Sequence, residues 1–156
     1  MGSFLDKFRN KILASFSHKE DLDRLNEFFS LGVLLWEVAF ADKKFLPQEE
    51  ERLKQILSSY TKISSENISL VLASIKEASQ ERIDLYTFTH EINIQLSYSA
   101  KLRIIEELFR VACIDKELDE RELELIREIS ELLHISHKDF IEAKIRIKKE
   151  LGLKTY

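Results

Sequence analysis

The sequence predicts an all-α fold: a single compact domain of seven to eight helices with an internally duplicated helix-corner-helix motif. Three observations carry that expectation. The 156 residues include only three Gly and one Pro, too few for the turns of a β-rich chain. Apolar residues recur at three- and four-residue intervals along most of the length, with no alternating run long enough for a strand. Finally, one stretch occurs twice. Val38-Ala39-Phe40-Ala41-Asp42, with Glu49 following, returns as Val111-Ala112-Cys113-Ile114-Asp115, with Glu122 following, at a constant separation of 73 residues.

The elements follow in order. Phe4, Phe8, Ile12 and Phe16 fall every fourth residue, which makes residues 3–16 an amphipathic helix with Lys7, Arg9 and Lys11 off its apolar face. It is expected to pack on the core or on a second copy of the protein, and less readily on a membrane surface. With its lead-in it is set apart as residues 1–20; residues 21–156 form the main helical domain. Ser17 and Glu20 have capping-box spacing ahead of a helix that runs to about Ala41. Its stripe of Leu22, Leu25, Phe29, Val33, Trp36 and Phe40 is widened by Phe28, Leu35 and Ala39, so this is the central helix. Gly32 in its middle costs up to about 1 kcal/mol relative to Ala, and predicts the close approach of another helix backbone.

Pro47 suits the first position of the third helix, and Glu49, Glu50 and Glu51 complement the dipole of its first turn. Leu53, Ile56, Leu57 and Tyr60 face inward. A fourth helix starts near Ser64 or Ser65 and buries Ile68, Val71, Leu72 and Ile75. Asp84 caps a fifth, carrying Leu85, Phe88, Ile92 and Leu96. Ser97 or Ser99 opens a sixth, with Leu102, Ile105, Phe109 and Ala112 on one face. Asp119 and Glu122 have N-cap and N3 spacing before Ile126, Ile129 and Leu133. Ser136 caps the last helix, through Phe140, Ala143 and Ile147, and Gly152 closes it. Lys144, Arg146, Lys148 and Lys149 gather toward its C-terminal end, where positive charge is favourable.

Function classes narrow quickly. A formal charge of −4 leaves no domain-wide electrostatic footprint for nucleic acid. The single cysteine, Cys113, excludes an internal disulfide, sits in an apolar helical pattern, and reads as a small core residue. No apolar run reaches the roughly 20 residues that span a bilayer. Asp6, Lys7, Arg9, Asn10 and Lys11 interrupt any signal-peptide core, so cytoplasmic placement is the expectation. Glu131-Leu132-Leu133-His134 has the Glu-x-x-His spacing of di-iron bundles, but those sites need a second such motif and further Glu residues. His134 and His137 straddle a helix boundary and read as cap or surface chemistry. The sequence holds neither a Gly-rich phosphate loop nor a nucleophile motif. A non-enzymatic protein is therefore expected.

The duplicated stretch, together with Leu118-Asp119-Glu120-Arg121-Glu122 and the intervening Asp84-Leu85-Tyr86-Thr87-Phe88, resembles the tellurite-resistance TerB-like family. The superfamily includes the N-terminal domain of the DjlA co-chaperone, and the likeness covers roughly residues 25–150. The resemblance implies a duplicated all-helical domain whose paired acidic motifs hold a metal ion. Carried over by position, the candidate ligands are Asp42 and Glu49 in the first corner and Asp115 and Glu122 in the second. Carboxylate oxygens suit a hard divalent cation such as Ca²⁺ or Mg²⁺. Where the family commonly has Gly after the Asp, this chain has Lys43 and Lys116, whose ammonium groups oppose a nearby cation. An Asp at a helix end and a Glu in the next first turn can instead hydrogen-bond free backbone N–H groups around the corner. Two functions are expected on these grounds. The first is a protein-interaction module, acting through protein partners or self-association in a stress-response or membrane-associated assembly. The second is a divalent-metal-binding or metal-sensing domain using the four acids.

Overall fold

The computed structural model describes residues 5–8, 10, 22–39, 47–60, 65–81, 84–113 and 120–153. Among them lie a short N-terminal helical stretch at residues 5–8 and seven longer helices, with no strand. The helices are α1 (Leu22–Ala39), α2 (Pro47–Tyr60), α3 (Ser65–Gln80), α4 (Leu85–Gln95), α5 (Tyr98–Ala112), α6 (Glu120–Leu132) and α7 (His137–Glu150). The expected all-α architecture is what the chain adopts.

Local chemistry sets the boundaries. Asp84 caps α4, its carboxylate accepting from the Tyr86 N–H and the Thr87 hydroxyl. Ser97 caps α5 by accepting from the Ala100 N–H, and Ser136 caps α7 by accepting from the Asp139 N–H. Each satisfies a donor that the first helical turn cannot pair internally. Pro47 opens α2, where its missing N–H costs nothing. At the other end, Gly152 takes φ +72°, Leu153 N–H reaches Lys148 C=O and Gly152 N–H reaches Lys149 C=O. This pair of bonds is a Schellman cap.

The same device ends α6 without a glycine. His134 has φ 59°, Ile135 N–H donates to Ser130 C=O, and His134 N–H donates to Glu131 C=O. The Glu-x-x-His spacing is thus the last turn of a helix and its left-handed stop, and the imidazole stays exposed.

The central role of α1 follows from its surroundings. It packs against α2, α3, α5 and α6, and every residue from Asn26 to Leu35 is buried. A helix turns about 100° per residue, so consecutive side chains meet different neighbours. Asn26 reaches Gln95 on α4, Glu27 reaches Arg103 on α5, and Gly32 faces α3. The expectation for Gly32 needs one correction. A Cβ there would stand 2.1 Å from Ile75 Cδ1 and 3.8 Å from Leu57 Cδ1, so the close approach is made by side chains of α3 and α2 and not by a backbone.

Three aromatics link the N-terminal stretch to the body. Phe8 stacks on Phe29 with centroids 4.5 Å apart, and Phe29 meets Phe88 edge-on at 6.1 Å. Leu5, which lay outside the expected apolar face, is buried with Phe8 in the main core. Phe4, Ile12, Phe16 and the Ser17 capping box lie outside the described residues. On the opposite side, α5 and α7 join through the Phe109–Phe140 contact at 5.3 Å. Arg110 bridges their ends, bidentate to Glu150 at 2.6 and 3.0 Å and paired with Glu107 on its own helix. Because α5 lies between α1, α6 and α7, its buried face exceeds the expected stripe. Ile104 and Leu108 are fully enclosed, whereas Leu102 is half-buried.

Candidate functional site

The duplicated acids come first. Asp42 and Asp115 lie outside the described residues, and Glu49 is described only as part of the first turn of α2. Glu122 is in view: half-buried, it stands in the first turn of α6, where negative charge complements the helix dipole. Its neighbourhood is readable through Cys113, the buried C-cap residue of α5. Burial pushes the Cys113 thiol up, Lys148 and Lys144 pull it back, and Glu122 adds to the rise. The charges of Glu122 and of the α7 ammonium groups thus act on Cys113 in opposite directions. Carboxylates would suit a hard cation, but the charged groups acting on Cys113 beside Glu122 include the ammonium groups of Lys148 and Lys144. Among the described residues, no group of three or more His, Cys, Asp or Glu is placed to hold a metal ion.

Elsewhere, buried Glu27 and Lys101 are joined across helices. Glu27, buried in α1, takes a bidentate hydrogen bond from Arg103 at 2.8 and 3.2 Å. The pairing holds the guanidinium above its usual range, chiefly through that hydrogen bond. Lys101 is also buried. Its Nζ donates to Asn93 Oδ1 at 3.1 Å and lies 5.9 Å from the Tyr98 ring centroid. Asn93 donates in turn to Leu132 C=O at 2.9 Å, satisfying a carbonyl at the end of α6. Desolvation lowers the Lys101 ammonium, and the carbonyl end of the α6 dipole lies beyond Asn93. Beside it, Tyr98 donates to Asp139 at 2.5 Å and accepts from the Ser136 N–H at 3.2 Å, tying α5 to the first turn of α7. These links are structural clamps. Each polar atom is directed at another helix and none at an open cleft.

The outer face of α4 differs. Phe88 and Ile92 point into the core, while Tyr86 and Ile94 are 70% and 71% exposed, with exposed His90 between them. Residues at 86, 90 and 94 fall on one face at helical spacing. The sequence signal for Ile94 was its position two residues after Ile92, off the stripe of Leu85, Phe88, Ile92 and Leu96. A single apolar residue off-stripe is common enough that this carried no weight by itself.

The family profile described as tellurite resistance protein TerB matches residues 29–145, from the middle of α1 into α7. The chain belongs to the TerB family. No curated protein and no solved structure matches it. The TerB match takes in both acidic corners and the outer face of α4. It leaves Leu5 and Phe8 outside, although both belong to the TerB core packing. Among the described residues no helix is long and apolar enough to cross a membrane.

Proposed function

We propose that this TerB domain is a non-enzymatic protein-interaction module, working in a stress-response assembly of the tellurite-resistance type or in a membrane-associated one. The observation that carries the reading is the pair Tyr86 and Ile94, two large apolar side chains facing solvent on one side of α4. Tyr is enriched at protein interfaces because it supplies contact area together with a polar tip. The buried Glu27 and Lys101 support the same reading, being engaged in joining helices to one another. The N-terminal helix serves less well as a direct membrane or partner contact, because Leu5 and Phe8 are turned into the core.

Removing the N-terminal helix would strip two core residues and confound folding with binding. A surface pair is the better test. Tyr86→Ser with Ile94→Ser leaves the core untouched, and surface changes of this kind shift stability by about 0.5 kcal/mol or less. Affinity-tagged protein carrying both changes is expected to lose its associated proteins at unchanged melting temperature. Retention of every partner at wild-type levels would refute the proposal.

A further inference from the structure

Among the described residues, the cations drawn wholly or partly out of solvent are Lys101, Arg110, Lys144 and Lys148. A charged group in that position is costly unless it is paired or hydrogen-bonded. Lys101 has the Asn93 side chain, and Arg110 has Glu150 and Glu107. Lys144 and Lys148, both half-buried on α7, make no ion pair and no side-chain hydrogen bond among the described residues. Standing four residues apart on a helix, they share a face and repel each other. Arg127 of α6 adds a third positive charge: burial first, then Lys148 and Arg127, hold the Lys144 ammonium below its usual range.

Internal compensation falls short. Lys148 lies in the last turn of α7, where the carbonyl end of the helix favours it, but Lys144 precedes that turn, and the dipole effect fades within it. The charges of both lysines act on Cys113 of α5, yet burial keeps that thiol above its ordinary range, so it supplies no thiolate to neutralise them. Arg127 touches Glu124 through Nη1 at 3.2 Å, one contact that leaves other donors of its fork available.

We propose that Lys144, Lys148 and Arg127 form a binding site for a phosphate-type oxyanion. Two ammonium groups on one helix face, with Cβ atoms about 5–6 Å apart, can converge on a single tetrahedral group. The guanidinium suits its oxygens from the side of α6. Three cations less the Glu124 charge leave a net charge of about +2, which a phosphate monoester of about −1.5 to −2 balances and a lone carboxylate does not. The site goes beyond the interaction-module reading: it lies on α6 and α7, whereas Tyr86 and Ile94 lie on α4.

The full chain tests it, read by melting temperature and by NMR of the lysine side chains. At about 10 mM inorganic phosphate, against chloride at equal ionic strength, the expected rise is about 3–6 °C, as a dissociation constant of about 1 mM gives. The Lys144 and Lys148 signals should shift saturably, and those of exposed Lys138 at the other end of α7 should not. Lys144→Gln with Lys148→Gln abolishes the rise, whereas Lys138→Gln keeps it; Lys148→Gln alone, which weakens it, serves if the double variant does not fold. A peptide carrying one phosphoserine distinguishes the source of the anion. Binding about tenfold tighter than inorganic phosphate assigns it to a phosphorylated protein, and equal or weaker binding assigns it to free phosphate. No saturable shift of Lys144 and Lys148 with either ligand, or a rise that survives the double substitution, overturns the site. Tyr86→Ser with Ile94→Ser leaves phosphate binding unchanged, so failure here and failure of the α4 surface are separable.

Discussion

Substituting Gly32 by Ala should destabilise the protein, although helix propensity alone argues the reverse. Ala is favoured over Gly inside a helix by about 0.8–1 kcal/mol. In this chain the added Cβ would stand 2.1 Å from Ile75 Cδ1 and 3.0 Å from Ile75 Cγ1. Ile75 is fully buried, so its terminal methyl has no solvent to swing into. Overpacking a closed core costs about 1–3 kcal/mol, and a contact this short belongs at the upper end. The net expectation is a loss of about 2 kcal/mol, or roughly 4–8 °C in melting temperature for a chain of this size. Urea denaturation followed by circular dichroism measures it, with an unchanged m-value confirming that the loss lies in the native state. Ile75→Val removes Cδ1 and by itself costs about 0.5–1.5 kcal/mol. Combined with Gly32→Ala it should recover about 1 kcal/mol or more of the loss, so the double-mutant cycle shows coupling of that size. If Gly32→Ala were as stable as the wild type, or more stable, the packing of α3 against α1 described above would be wrong.

Three further outcomes can be measured. His134→Gly should stabilise by about 0.5–1 kcal/mol in urea melts: it relieves a left-handed non-glycine residue worth about 1–2 kcal/mol, partly offset by greater freedom of the unfolded chain. A destabilisation would mean that the imidazole makes a contact worth more than the backbone strain. Tyr98→Phe should raise the Asp139 carboxyl towards its ordinary range, since the Tyr98 hydrogen bond is the largest cause holding it down. A depressed folded-state value means that the stabilisation is present above the unfolded carboxyl range and is lost as pH falls through the folded value. Stability curves of wild type and Tyr98→Phe should therefore converge on acidification below about pH 4, and an NMR titration of Asp139 that is unmoved by the change would contradict the contact. Millimolar Ca²⁺ or Mg²⁺ should leave the melting temperature within error of an EDTA control, because a ligand stabilises only by binding the folded state. A rise of several degrees, abolished by Glu122→Gln, would instead make the acidic corners a metal site.

Much of this architecture was legible residue by residue. The helix starts at Asp84, Ser97 and Ser136 and the stop at Gly152 are local events, completed within a few residues of backbone. The inward positions Ile68, Val71, Leu72 and Ile75 of α3, and Phe140, Ala143 and Ile147 of α7, follow from period 3.6 and are all buried. The two acidic corners were visible because a duplication leaves a constant spacing. That spacing said nothing of which distant charges meet near a corner: Lys144 and Lys148, which act with Glu122 on Cys113, come from a helix whose packing no local pattern encodes.

The sequence by itself determined the helical class, the order and ends of most helices, and the TerB resemblance, since propensity, capping and periodicity are short-range. Tertiary structure alone decided the rest. Glu27 can be buried because Arg103 reaches it from 76 residues away, and the N-terminal helix is held by a hydrogen bond spanning 89 residues, from Gln95 to Asp6. Ile94 faces solvent because α4 packs mainly on α6 and leaves its other side uncovered. Gly32 is required by the Ile75 side chain on a different helix. In each case the deciding energy is a contact or a desolvation between distant segments, which exists only once the helices have assembled.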